Sequence, residues 1–284
     1  MKPAPFELLR PTSLDEALAA LAEHGDEAKP LAGGQSLVPV LNMRLLRPAV
    51  LVDLNRIPGL DRLERENDGT LRVGALVRQR TLERSNEIAS LPLVAEALPN
   101  VGHTVTRNRG TVAGSVVHAD PAAELPLCLL VLGGHVVAQS PSGRREIPAG
   151  DFFVMHFTTT LIPGELVVET VWPVLGQGWG FAFEELSQRR GDYALSMAAC
   201  ALHVEDGRVT EARVGLGSVV HRPLLVETEL AGEAVTEELA RAVADDVTES
   251  LELYSNLHAS ADYQRRLTEI LVERAILRAW RRAA

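Results

Sequence analysis

The stretch LAGGQSLVPVL, Leu31 to Leu41, limits the fold more than any other part of this chain. It joins a short strand at Lys29–Leu31 to a run in which Leu37, Val40, Leu41 and Leu45 recur at helical spacing. Val50–Leu54 then follows as a buried strand. Strand, glycine turn, helix and strand in succession predict an α/β unit. Gly33 and Gly34 lack a Cβ, so their amides come within hydrogen-bonding reach of a ligand, and both allow φ > 0. Gln35 and Ser36 add side-chain donors, and the helix start adds free N–H groups and a positive dipole end, which suits a phosphate or diphosphate. The same residues also suit a tight strand-to-helix turn with no ligand. The stretch is neither a Walker loop, having no Gly-Lys-Ser/Thr, nor a GxGxxG dinucleotide fingerprint.

Local signals outline the rest. Ser13 with Glu16 forms a capping box ahead of Leu14, Leu18 and Leu21, and Gly25 stops that helix. Asp68–Gly69 turns a hairpin between Leu60 and Val77. Leu91–Leu98 reads as a helix, Gly102–Pro126 as a long loop, and Leu127–Leu132 as a helix leading to strands at His135–Gln139 and Arg144–Ile147. Composition shifts near Pro173–Gly178. Beyond it Gly180–Gln188, Ala194–Val204 and Arg208–Ser218 form a meander, turned at Arg190–Gly191 and Asp206–Gly207. Helices at Thr236–Leu253 and Ala261–Trp280 close the chain, the second with Tyr263, Leu267, Ile270 and Leu277 along one face. A length of 284 residues suits about two domains, with a boundary near residue 175.

Charge and cysteine content narrow the function. Lys+Arg 28 against Asp+Glu 38 leaves a net charge of −10, which argues against coating nucleic acid. Cys128 and Cys200 are the only cysteines, too few for a disulfide framework or a four-thiolate cluster. Both sit in apolar runs and read as buried thiols. The start MKPAPFELLRPTS is too polar for a secretory signal. Apolar runs such as Leu125–Leu132 fall short of the roughly 20 residues of a membrane span. A cytoplasmic protein is expected.

The second candidate loop is RNRGTVAGSVVHADPAAELP, Arg107 to Pro126. Thr111 and Ser115 offer hydroxyls, Gly110 and Gly114 allow close backbone approach, and Asp120 and Glu124 could accept hydrogen bonds from ribityl or ribose hydroxyls. A polar surface loop is the other reading. Ser115, His118 and Asp120 do not make a hydrolytic triad, because no nucleophile elbow is present. His118 with Asp120 lacks the further ligands of a metal site.

Together LAGGQSL, TVAGSVVHADPAAELP and RRGDYALSMAACAL resemble the FAD-binding medium subunit of molybdenum hydroxylases, in the carbon monoxide dehydrogenase and xanthine dehydrogenase group. The likeness runs over essentially the whole chain, including DYQRRLTEILVERAI. It implies an α+β architecture: a two-part FAD-binding domain of the vanillyl-alcohol-oxidase (PCMH) type over 1–175, divided into about 1–57 and 58–175. A small domain over 176–284 would follow, with a three-stranded antiparallel sheet and helices. By resemblance, Ala32, Gly33, Gly34, Gln35, Ser36 and Leu37 wrap the FAD diphosphate. Thr111, Gly114 and Ser115 belong to the second FAD loop, and Asp120 and Glu124 stand near the sugar and ribityl hydroxyls. Tyr193 packs near the isoalloxazine ring, unless it is an ordinary strand-start aromatic. His118 and Leu161 complete the implied cofactor-binding set.

The sequence departs from the family in three places. Ala113 stands where a glycine is usual, Glu124 where many relatives have Asp, and Glu184–Glu185 where several carry a Lys near the flavin. The resemblance implies two partners: a large molybdopterin subunit, where substrate is hydroxylated, and a small subunit with two [2Fe–2S] clusters. Electrons would reach FAD here and leave to NAD, oxygen, a quinone or a carrier protein. No side chain is needed as acid or base, so no catalytic residue and no metal ligand is assigned. Two other readings stay open: a self-contained FAD-dependent oxidase or dehydrogenase of the same fold, and a non-catalytic ligand-binding module. Arg278–Arg282 around Trp280 is either part of an interface or a solvated helix end. Valine at Gly33 is expected to abolish FAD retention with the fold intact, by blocking approach to the diphosphate.

Overall fold

The computed structural model describes residues 1–283. Ser13 caps the first helix as its spacing predicts. Its hydroxyl accepts from the Glu16 amide at 3.2 Å, and the Glu16 carboxylate reaches back to the Thr12 amide at 2.8 Å. Helix α1 (Leu14–His24) covers a parallel sheet built from β1 (Glu7–Leu9), β2 (Ala28–Leu31) and β3 (Val50–Asp53), in the order β1-β3-β2. Helix α2 (Leu37–Asn42) follows the glycine pair. Strand β1 has no signal in the sequence, because it is three residues long with two of them exposed.

The middle of the chain runs β4 (Leu63–Arg65), β5 (Thr70–Gly74), α3 (Gln79–Arg84), α4 (Pro92–Ala97), α5 (Thr104–Arg109), α6 (Val112–His118), α7 (Glu124–Leu132), β6 (His135–Ser140) and β7 (Gly143–Pro148). It ends with α8 (Ala149–Phe152), β8 (Phe153–Met155), β9 (Thr158–Thr159) and β10 (Leu166–Pro173). A five-stranded antiparallel sheet forms in the order β4-β5-β10-β6-β7. Its central strand, β10, has no counterpart in the sequence reading. Both its faces are buried, so LVVETVW shows no alternation.

The expected long loop at Gly102–Pro126 is instead two short helices, α5 and α6, and the first turn of α7. Helices of six and seven residues are too short to show a hydrophobic period; tertiary packing stabilises them.

The final part holds β11 (Trp179–Ser187), β12 (Ala194–Glu205), β13 (Arg208–Gly217), β14 (Leu224–Val226), α9 (Glu237–Glu249) and α10 (Ala261–Ala283). Its antiparallel sheet is four-stranded, not three-stranded: β14 adds three residues along β13, with Leu225 opposite Gly215. Helices cover this sheet on both sides. Met197, Ala199 and Ala201 of β12 join the core around α4 and α7, while Ala198, Cys200 and Leu202 join the core under α9 and α10.

The buried face of α10 also differs from the expected stripe. Leu267 is buried, but Tyr263 is 49% exposed, and Ala275, Ile276 and Ala279 do the packing. Small residues decide this face. A Cβ on Gly180 would collide with the Ala279 carbonyl oxygen, so helix and strand touch backbone to backbone. Both cysteines are fully buried, and burial pushes each thiol above its ordinary range. Among the described residues no helix is long and apolar enough to cross a membrane.

Candidate cofactor site

The carboxyl ends of β2 and β3 define the site, the place where open α/β sheets leave room for ligands. From β2 the chain turns through Ala32–Ser36, with Gly34 at φ +73°, a conformation that glycine adopts without strain. Among the described residues, no in-chain acceptor takes the amides of Gly33, Gly34, Gln35 or Ser36. The Gln35 side chain folds back to the Gly33 carbonyl at 3.4 Å. A row of unspent backbone amides can receive an anion.

The second glycine stretch lies directly against this turn. A Cβ on Gly33 would sit 2.8 Å from the Gly110 Cα and closer still to the Arg109 carbonyl oxygen. The bare Cα of Gly33 therefore makes room for protein backbone. The expected reason for a Gly33→Val defect, obstruction of the diphosphate with the fold intact, does not hold at this geometry.

Two residues absent from the sequence reading connect the loops. Arg78 donates through Nη1 to the Arg109 carbonyl and through Nη2 to Asn55 Oδ1, both at 2.6 Å. Asn55 Nδ2 donates to the Ala32 carbonyl at 3.0 Å and to Asp53 Oδ1 at 2.6 Å. Backbone bonds from Gln79 N to the Gly110 carbonyl, 2.9 Å, and from Val112 N to the Val77 carbonyl, 3.0 Å, hold the same corner. The one sequence signal for Asn55 was its place just past a parallel strand; Arg78 had none.

Thr111 caps α6. Its hydroxyl oxygen accepts from the Gly114 amide at 2.9 Å and is buried. A Cβ on Gly114 would lie 2.5 Å from that oxygen, so the glycine serves the cap. Ala113 sits inside the helix and is 3% exposed, so its extra methyl packs into the core without strain. Gly114, Ser115 and His118 lie on the half-buried side of α6. The His118 ring stands 4.9 Å from that of Phe157, and burial lowers its pKa. Leu161 is half-buried against the core that contains α6 and α7.

The acidic positions are desolvated. Asp120 accepts from the Ala122 amide at 2.9 Å. Glu124, in the first turn of α7, is 7% exposed. Burial, then the charges of Glu185 and Asp120, push its pKa up to about 8. Burial takes Glu185 to about 7, and its Oε2 is buried with no partner among the described residues. Glu184 is spent differently, paired with Arg278. Tyr193 stands 70% exposed at the start of β12, its phenol raised by desolvation and then by Asp120 and Glu124. Phe157 and Ile162 are likewise exposed, at 60% and 61%.

The fold is thus an α+β one with two glycine loops meeting in one corner and a small antiparallel sheet beside them. Residues 4–175 match the FAD-binding domain of molybdopterin dehydrogenases, and residues 181–279 match the carbon monoxide dehydrogenase flavoprotein C-terminal domain. A 6-hydroxypseudooxynicotine dehydrogenase complex subunit alpha of Paenarthrobacter nicotinovorans is 42% identical, covering 100% of this chain and 97% of its own. Carbon monoxide dehydrogenase of Hydrogenophaga pseudoflava superposes with a TM-score of 0.96 at 36% identity, covering 100% of both chains. Quinoline 2-oxidoreductase of Pseudomonas putida 86 gives 0.94 at 37%, covering 100% of this chain and 99% of that one. The chain belongs to the family of FAD-binding medium subunits of molybdenum hydroxylases, oxidoreductase subunits that carry FAD.

Proposed function

We propose that this chain is the electron-exit subunit of a three-part molybdenum hydroxylase. A large subunit would hold molybdopterin and the substrate pocket, and a small one two [2Fe–2S] clusters. The exit runs through FAD to an acceptor such as NAD, oxygen, a quinone or a carrier protein. Relatives that cover the whole chain are named as subunits or medium chains of such dehydrogenases, which supports this reading. The division 1–57, 58–175 and 176–284 goes with it, as does a cytoplasmic setting.

The observation that carries the site is the corner where a turn with four unspent amides packs, at Gly33, against a second glycine loop. The residues fit an elongated dinucleotide. The backbone of Ala32–Leu37 would hold the diphosphate, with Thr111, Gly114 and Ser115 in the second FAD loop beside it. Asp120 and Glu124 would meet ribose and ribityl hydroxyls, and the orphaned Oε2 of Glu185 adds an acceptor beside them. Tyr193, His118 and Leu161 would border the ring system and its chain. The chemistry supplied by bound FAD is exchange between one-electron donors and one- or two-electron acceptors. The chain's own work is to bind, orient and shield that group; no side chain is asked to transfer a proton.

Purification of the full chain with its partner subunits tests this. The expected result is a yellow complex with the visible bands of oxidised flavin and stoichiometric iron and molybdenum. A chain that takes up no FAD, or that reduces it with its own substrate in the absence of partners, overturns the proposal.

A further inference from the structure

We propose that Arg78 and Asn55 form a positioning latch that sets the spacing of the two glycine loops and so the tightness of FAD retention. The inference rests on the reading of these loops as the FAD site. Three atoms carry it. The Arg109 carbonyl oxygen is the atom nearest the place a Gly33 Cβ would take, and it is also the acceptor for Arg78 Nη1 at 2.6 Å. The Ala32 carbonyl, one residue before Gly33, accepts from Asn55 Nδ2 at 3.0 Å. Asn55 Oδ1 accepts the second arm of the same guanidinium at 2.6 Å. A single planar side chain thus ties one loop directly and the other through one amide.

The residue types follow from the geometry. Arginine holds two donors at fixed spacing and fills two acceptors at once; lysine offers one point charge on a flexible stem. Asparagine must accept from Arg78 and donate to Ala32 with the same amide, and Asp53 Oδ1, at 2.6 Å from Nδ2, holds the amide in that sense. Aspartate at position 55 keeps the acceptor, loses the donor and places a second carboxylate beside Asp53. Arg78 also lines a surface hollow of about 390 Å³ with Asn55, Asp61 and Thr81, so a small cation has a route to its guanidinium position.

The test uses the purified complex and follows FAD release by the recovery of free-flavin fluorescence after dilution. R78K and N55D should each weaken FAD retention about 10- to 100-fold, the scale of one lost hydrogen bond to a charged group. The double variant should be no worse than the poorer single one, because both changes open one latch. Guanidinium ion should restore retention to R78A but not to N55D, which a general loss of stability would not do. Gly34→Val serves as the control for the site itself. If it releases FAD while R78K and N55D retain it normally, the latch is wrong and the site stands. If none of the three alters retention, the reading of the loops fails first. Additive losses in the double variant, or no rescue by guanidinium, also overturn the latch.

Discussion

Gly33 and Gly110 meet backbone to backbone: a Cβ on the first would lie 2.8 Å from the Cα of the second. The residues are far apart in sequence and belong to loops that the sequence shows separately. Their contact makes one corner of two turns, and it changes what a side chain at Gly33 would do.

Substitution at Gly33 should damage the protein before any ligand is considered. Gly33→Ala puts a methyl against the Arg109 carbonyl, and overpacking of that kind costs about 1–3 kcal/mol. The FAD-free chain should therefore melt below wild type, and Gly33→Val further below. Thermal denaturation without cofactor decides this; an unchanged FAD-free midpoint means the two backbones are not in contact.

Gly114→Ala should act through Thr111. The new Cβ, 2.5 Å from the Thr111 hydroxyl, displaces the bond to the Gly114 amide. Loss of that cap costs about 1 kcal/mol, and Thr111→Val should cost a similar amount. Combining the two should add little, since they remove the same bond. Chemical denaturation of the three variants measures it.

Glu124 should make the FAD-free chain less stable as pH rises. Its folded pKa of about 8 lies above the ordinary carboxylate value, so between the two the folded state binds more protons than the unfolded one. Stability then falls with pH across that window, by linkage. Glu185, at about 7, acts in the same sense. Glu124→Gln removes the penalty: it should match wild type near pH 4 and exceed it at pH 8 by on the order of 4 kcal/mol. Melting curves of the FAD-free chain at several pH values provide the comparison, and parallel profiles for the two proteins would refute the assignment.

The basic end of α10 serves the interior of this chain. Glu96 of α4 accepts from the Phe183 amide at 3.0 Å and from Arg278 at 3.1 Å, and it is ion-paired with Arg282 at 2.5 Å. Glu96→Ala should destabilise the chain by about 1–3 kcal/mol, mainly through the orphaned amide. Arg282→Ala should cost less than about 1 kcal/mol, because that pair is partly exposed, and the cost should shrink in high salt. Denaturant midpoints at two ionic strengths separate the two effects.

Much of this was legible in the residues. The Ser13–Glu16 cap, the Asp68–Gly69 hairpin, the burial of both cysteines and the two glycine stretches are local signals, readable within a few positions. The fold family was legible for the same reason, through three short motifs in order. Strand β10 was not, because a strand buried on both faces has no alternation. The stripe on α10 was misplaced because backbone approach at Gly180 outweighed side-chain size.

By itself, then, the order of residues determined which segments turn, cap and carry cofactor-type glycines. Only the folded chain decided that Gly33 faces Gly110, that Asn55 and Arg78 link the loops, and that Arg278 and Arg282 clamp α10 to α4. The first set depends on φ preferences and bonds between near neighbours. The second depends on atoms brought into direct contact across 23 to 186 positions of chain, a distance over which no local pattern carries information.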